Sequence, residues 1–459
     1  MAGIGFELRR LLRDGSYISL LRAYGAAGII SSGPWVVSIL GILAIGFMTS
    51  GGGLDLIFVS RFQVSVTYLM TVSLILTSPL QFFLTRFIAD RLYENRRDLV
   101  LPNVLGAIAI VTVVSGVLAS MVLVVLFDGS VAYRVLMMAG LVTLSNIWIV
   151  VVLLSALKAW RLIVLSFFGA YLLTVFAAHA LRDNGVEGLL VGFVAGQAML
   201  LFVLLVRLVR EYPSARLVAF DFLRRDKVFP SLAVTGLLYN VAIWADKWIF
   251  WFNPDTSEQA IAPLRYSPIY DFPIFLAYLS IVPGMAVFLV RVETDFAEHY
   301  ESFYSTIRNG GTLEEILRAK ALMVQAVRRG IYDIFKVQGM TILILLGIGG
   351  YLLESLGIPS LYRMLLNINL VAVGAQVLLM AILNVLFYFD QRRVVLGLAL
   401  LFVLGNSVLT LLSQQLGPSF YGYGFAAAVI LTSVAGLMSL SRVLEKLEYQ
   451  TFMLQRVRC

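Results

Sequence analysis

Apolar residues recur along the chain in runs of 17 to 26 positions, separated by shorter polar stretches rich in arginine. Runs of this length suit α-helices that cross about 30 Å of hydrocarbon. Twelve fall near 25–48, 64–85, 104–127, 135–157, 162–181, 188–206, 228–251, 272–290, 337–353, 364–389, 394–416 and 421–441. The expected fold is an all-α polytopic membrane protein with twelve transmembrane helices.

The segments between these runs alternate in Lys and Arg. With the N-terminus cytoplasmic, 29 of the 35 basic residues fall on that side and 5 on the other, with Lys247 inside a run. Cytoplasmic loops carry the excess of Lys and Arg, so both termini are expected in the cytoplasm. One missed helix would invert every later loop, and the alternation therefore supports the count. The basic stretch Arg207 to Lys227 leaves six runs on either side, which predicts two six-helix lobes. The expected organisation is an amphipathic N-terminal segment (1–24), a first lobe (25–209), a basic linker (210–227), a second lobe (228–441) containing a helical cytoplasmic loop (291–336), and a tail (442–459). Equal, even-numbered halves would be parallel repeats, though little residue identity relates them.

Composition narrows the function classes. At 60% hydrophobic and 14% charged over 459 residues, the chain lies well outside soluble globular averages of about 45–50% and about 25%. The net charge of +8 is a topology signal rather than a nucleic-acid footprint. The one cysteine, Cys459, excludes a disulfide framework and a cysteine metal site. The 24-residue first run is too long for the apolar core of a signal peptide and is expected to be retained. No phosphate-cradling Gly-x-x-x-x-Gly-Lys-Ser/Thr loop, Gly-x-Ser-x-Gly elbow or His-Glu-x-x-His pair occurs. Neither an enzyme active site nor a cofactor or metal site is expected.

The exceptions to apolarity are the candidate chemistry. Asp246 and Lys247 stand next to each other in the seventh run, near its outer end and among Trp244, Trp248 and Trp251. Neighbouring helical residues point about 100° apart, so no side-by-side pair is expected. Lys247 has a stem long enough to snorkel to the interface. The shorter Asp246 is expected to face a polar cavity, as intramembrane acids do. Asn240 lies on the same run, and Tyr270, Asp271 and Tyr278 follow in the next, which Pro268, Pro273 and Pro283 should break. These six residues are the candidates for a translocation path.

On the cytoplasmic side, Arg86 to Arg97 is expected to form local ion pairs through Asp90 and Glu94. Phe6 to Leu21 mixes arginine with apolar residues, as in an amphipathic surface helix. Thr312-Leu-Glu-Glu315 has the form of a capping box. Leu313, Leu317, Ala321, Val324, Val327, Ile331 and Ile334 then form one apolar stripe at helical spacing. Two expectations attach to this helix: an interfacial element tethering the ninth span, or a docking surface in which Arg318, Arg328 and Arg329 meet a cytoplasmic partner.

Several segments together carry a family likeness. They are the opening Met-Ala-Gly-Ile-Gly-Phe-Glu-Leu-Arg-Arg-Leu-Leu, Ser-Ser-Gly-Pro-Trp (31–35), Thr-Arg-Phe-Ile-Ala-Asp-Arg-Leu-Tyr (85–93), Trp-Ala-Asp-Lys-Trp-Ile-Phe-Trp (244–251), Tyr-Asp-Phe-Pro-Ile-Phe-Leu-Ala-Tyr-Leu-Ser (270–280) and Glu-Thr-Asp-Phe-Ala-Glu-His-Tyr (293–300). Over essentially its whole length the chain resembles the PelG family, inner-membrane transporters of the bacterial Pel exopolysaccharide system. The resemblance implies a multidrug/oligosaccharidyl-lipid/polysaccharide exporter (MOP) fold, with two six-helix lobes around a central cavity. It implies export of Pel, a partly deacetylated and cationic galactosaminoglycan of biofilm matrix, across the inner membrane. The implied partners are this polysaccharide, membrane lipids, a cytoplasmic glycosyltransferase and inner-membrane Pel proteins, one of them a cyclic di-GMP receptor; nucleic acid is not among them. No family motif assigns a catalytic or ion-binding residue. The rival expectations are a flippase or antiporter of the same fold for lipid-linked sugars or small molecules, and a membrane-embedded synthase.

Overall fold

The computed structural model describes residues 17–49, 55–127, 129–156, 160–224 and 229–453. Most of the amphipathic segment expected over 6–21 lies outside them. The fold is nearly all helical. Helices α1 (Tyr17–Thr49), α2 (Asp55–Tyr93), α3 (Val100–Leu126), α4 (Val131–Ala156), α5 (Trp160–Ala180), α6 (Gly185–Glu211) and α7 (Pro230–Phe252) come first. A two-stranded antiparallel hairpin, β1 (Glu258–Ile261) and β2 (Leu264–Tyr266), follows. Then come α8 (Pro268–Leu279), α9 (Ile281–Val290), a π-helical turn (Arg291–Phe296), α10 (Ala297–Arg308), α11 (Leu313–Ser355), α12 (Arg363–Tyr388), α13 (Arg392–Gln415), α14 (Tyr423–Glu445) and α15 (Leu447–Met453).

Among the described residues ten helices are long and apolar enough to cross a bilayer, and α1, a bent pair of Arg22–Gly33 and Val36–Gly46, makes up to eleven. Helix α7 has 23 residues but is not in this set. Asn240, Asp246 and Lys247 interrupt its apolar stretch.

The chain forms two compact units, Ser32–Ile269 and a second that joins the residues before Ser32 to Tyr270 onward. This boundary differs from the expected 210–227 linker, because α7 and the hairpin are fastened to α2. Gly236 sits against the Ser78 carbonyl, where a Cβ would lie only 2.6 Å away. Tyr68 stacks on Trp251 with ring centroids 4.8 Å apart, and its hydroxyl donates to the Arg265 carbonyl at 2.8 Å. Arg61 Nε donates to the Ala260 carbonyl at 3.1 Å. The linker itself is also docked: Phe222 is fully buried beside Phe83 and Phe87, and Ala219 N donates to the Pro102 carbonyl at 2.9 Å. Arg86–Asp90 and Arg91–Glu94 form the expected local ion pairs, at 3.2 and 2.6 Å.

In the second unit, Pro268 opens α8, Pro273 lies within it, and α8 gives way to α9 at Ser280. Broken backbone at this depth needs a partner from a neighbouring helix. Gln338 of α11 supplies it, donating to the Ser280 carbonyl at 3.2 Å. The capping box at Thr312 is present: its hydroxyl accepts from Glu315 N (3.3 Å) and its N–H donates to Glu315 Oε2 (2.8 Å). Helix α11 then runs 43 residues without interruption, about 65 Å at 1.5 Å per residue. The expected interfacial helix and the ninth span are therefore one element. No proline interrupts it, and Arg291, bridged to Asp333 at 2.8 Å, holds its first half to the preceding helix.

Close packing in the first unit depends on Gly188, Gly192 and Gly196 of α6, whose Cα atoms face Leu181, Ala178 and Thr174 of the α5 end. Small residues let helix backbones approach, which is a main source of association inside bilayers. A Cβ on Gly192 would collide with the Ala178 backbone, whereas one on Gly397 of α13 would meet nothing within 4 Å. Gly192→Ala should therefore destabilise the protein by about 1–3 kcal/mol. Gly397→Ala should be neutral or slightly stabilising. Thermal unfolding of the two variants in detergent checks this; equal midpoints would contradict the packing assignment.

Candidate functional site

Helix α7 starts with Pro230 at its first positions, where a missing N–H costs nothing. It carries three of the candidate path residues. The Asn240 amide donates to the Gly236 carbonyl at 3.1 Å, one turn back. Asp246 and Lys247 are buried, 0% and 1% exposed. They form an ion pair: Lys247 Nζ donates to Asp246 Oδ2 at 3.0 Å and Oδ1 at 3.2 Å. It also donates to the Ile243 carbonyl at 2.9 Å and lies 5.7 Å from the Trp244 ring centroid.

This overturns two expectations. Adjacent Cβ atoms do diverge by about 100°, but the lysine stem is long enough to curl back over the preceding turn, so its ammonium reaches the short carboxylate. Lys247 does not snorkel outward. Trp251, near the outer end of the same run, is 1% exposed and stacked on Tyr68. The pair carries no net charge, so Asp246 is not a free anion here.

The other three path candidates belong to the second unit. Tyr270 is fully buried and Asp271 is 9% exposed, in the first turn of α8. A helix N-terminus favours a carboxylate there. The Tyr278 hydroxyl donates to Gln376 Oε1 of α12 at 3.0 Å. Arg265 braces the β-hairpin, donating to the Ser257 hydroxyl at 2.8 Å and to its carbonyl at 3.0 Å. Of the docking candidates, Arg318, Arg328 and Arg329 are all exposed on α11.

Sequence reasoning missed Glu293. It was placed in the polar loop after the eighth span, yet it is 5% exposed. One carboxylate oxygen accepts from Tyr388 OH at 3.0 Å and the other from Asn384 Nδ2 at 3.2 Å. The Asn384 Oδ1 is buried with no hydrogen-bond partner. Glu293 sits on the π-helical turn, where Thr294 Oγ1 bonds back five residues to the Leu289 carbonyl at 3.3 Å. Such turns recur at functional sites because the extra residue redirects side chains. The signal present in the sequence was an acid three residues beyond an apolar run, facing Asn and Tyr four residues apart on a later one. Among the described residues, no group of three or more His, Cys, Asp or Glu side chains could hold a metal ion.

Breaking a buried ion pair by removing one partner costs about 3–5 kcal/mol, whereas replacing both with apolar groups is often neutral. Asp246→Asn and Lys247→Met should each lower the unfolding midpoint strongly, and the Asp246→Asn/Lys247→Met double variant should recover most of the loss. Thermal unfolding of the four proteins checks this. A double variant as unstable as the sum of the singles would contradict the pairing.

The fold is shared with solved transporters. A MOP superfamily transporter from Pyrococcus furiosus is 13% identical, with 92% of this chain and 96% of that one covered at a TM-score of 0.62. A multidrug resistance MATE family transporter of the same superfamily, in an outward-facing conformation, is 15% identical, with 92% and 96% covered at 0.63. A Vibrio cholerae MATE transporter is 12% identical, with 96% and 98% covered at 0.64. At these identities the likeness is one of fold. No curated protein matches the chain in sequence. A family model described as "PelG: Putative exopolysaccharide Exporter (EPS-E)" matches residues 1–452. This multi-pass membrane protein therefore belongs to the PelG family of exopolysaccharide exporters.

Proposed function

We propose that the protein exports a cationic, partly deacetylated galactosaminoglycan across the bacterial inner membrane during matrix production, through twelve spans with both termini in the cytoplasm. The observation that carries the exporter reading is the family match over residues 1–452. The charge count, 29 basic residues against 5 across the loops, supports the orientation. Helix α7 is the added twelfth span, its polar residues serving transport rather than lipid contact.

The buried pair on α7 supports a cationic substrate. An ammonium already occupies Asp246, so an amino-sugar ammonium of the same chemistry can take its place and release Lys247, keeping the carboxylate compensated throughout. Asn240 on the same helix is proposed as a further contact of the polymer, and Tyr270, Asp271 and Tyr278 are proposed separately as polymer contacts within their own unit. Their hydroxyl, amide and aromatic groups suit sugar rings. Delivery of the polymer falls to a cytoplasmic glycosyltransferase and its inner-membrane partners. The first half of α11, which starts after Thr312, offers Arg318 and Arg329 for their docking.

Two outcomes follow. A fluorescent protein fused after the last residue should light up in the cytoplasm, while an alkaline phosphatase fused there should stay inactive; the reverse would refute the orientation. In cells that make the polymer, the Asp246→Asn/Lys247→Met variant should accumulate to normal levels yet secrete little polymer. Normal secretion by that variant would remove α7 from the path.

A further inference from the structure

The apolar stripe of α11 does not serve the proposed path. Leu317, Ala321, Val324, Val327, Ile331 and Ile334 line a groove of about 1160 Å³ closed on its other sides by α12 and α14. The groove is polarised along its length. Its charged lining residues fall before Ile331 on α11 (Lys320, Arg328) and after Leu444 (Glu445, Glu448), with Lys320 and Glu448 bridged at 2.7 Å. Its other end, at Ile342, Val371, Leu378 and Ile430, is apolar.

All three helices are among those apolar enough to span a membrane. An apolar groove on such helices opens to hydrocarbon, and an acyl chain is the occupant always at hand. The charged end chooses among lipids. Lys320 is neutralised by Glu448, and Glu445 accepts from the Ser441 hydroxyl at 3.3 Å. Arg328 is exposed and makes no ion pair among the described residues, and the same holds for Arg318, Arg329 and Lys336 on the same stretch of α11. Two acids on the same stretch of α11 are engaged elsewhere, Glu315 in the helix cap and Asp333 with Arg291. The lining as a whole balances two cations against two acids, and it is the unpaired Arg328 at a membrane surface between spanning helices that suits an anionic headgroup.

We propose that this groove is a binding site for an anionic phospholipid of the surrounding bilayer, its chains along the apolar end and its phosphate against Arg328. The site is separate from the α7 pair, and its test does not depend on transport.

The full chain is purified in detergent, stripped of lipid, and supplied with phosphatidylglycerol or with phosphatidylcholine of identical chains. Bound lipid is counted by native mass spectrometry and the unfolding midpoint is followed. Phosphatidylglycerol should be retained in preference and raise the midpoint more. Arg328→Gln should reduce that preference about fivefold, the effect of about one surface charge, and Arg328→Glu should reduce it further, with helix content unchanged. Ala375→Trp, which fills the apolar part, should lower retention of both lipids. Equal retention of the two lipids, or a preference that survives Arg328→Glu, would overturn the proposal. So would displacement of phosphatidylglycerol by an equimolar polyprenyl phosphate, or a groove occupied only when a partner protein is added.

Discussion

A charge removed from water must bring its partner with it, and the Asp246–Lys247 pair is where this chain meets that demand most severely. Both side chains are buried in one helix, bonded to each other and to the Ile243 carbonyl. Desolvating two ions is expensive, and their mutual attraction compensates only when the geometry is good and the remaining polar valences are filled. The Ile243 carbonyl fills one further valence of the ammonium, and the surrounding contacts hold the helix in place. Gly236 brings α7 close to α2, Trp251 stacks on Tyr68, and the hairpin locks onto α2 through Arg61 and Tyr68. Such an arrangement is a poor way to gain stability, and its retention in a spanning helix is what the proposed exchange with a substrate ammonium would account for.

The same economy of polar groups recurs in the second unit. Gln338 satisfies the backbone where α8 breaks into α9, and Tyr388 and Asn384 satisfy Glu293 on its π-helical turn. At the α8–α9 break the free carbonyl finds a side chain from another helix, and at the π-helical turn the buried carboxylate does, as a low-dielectric surrounding requires. The polar positions in the helices therefore separate into those spent on structure, such as Asn103 holding the docked linker through Phe222 N and Asp221, and those with bonding capacity left, such as the Asn384 oxygen.

Much of this was legible in the sequence, and the failures have physical causes. Hydrophobic run length located the spanning helices, and Thr312 announced the start of α11. What the sequence hid was reach and continuity. The flexible lysine stem defeats an argument made from Cβ directions. A polar stretch after Val290 reads as a departure from the membrane, yet the π-helical turn rotates Glu293 inward. An amphipathic stripe followed by an apolar run reads as two elements, although nothing in the intervening residues ends the helix. The hairpin strands, of four and three residues, are too short for a periodic signal. The basic linker reads as solvated from its charge, while the burial of Phe222 fixes it to the first unit.

The proposed function is vectorial: this chain would move a polymer that another protein makes. The most direct measurement uses inverted inner-membrane vesicles containing the glycosyltransferase, with and without this protein, supplied with sugar nucleotide and then treated with a hydrolase that cannot enter. The account predicts hydrolase-resistant polymer in the lumen only when the protein is present. Polymer that stays fully digestible in its presence, or synthesis by vesicles that contain this protein and no glycosyltransferase, would contradict it.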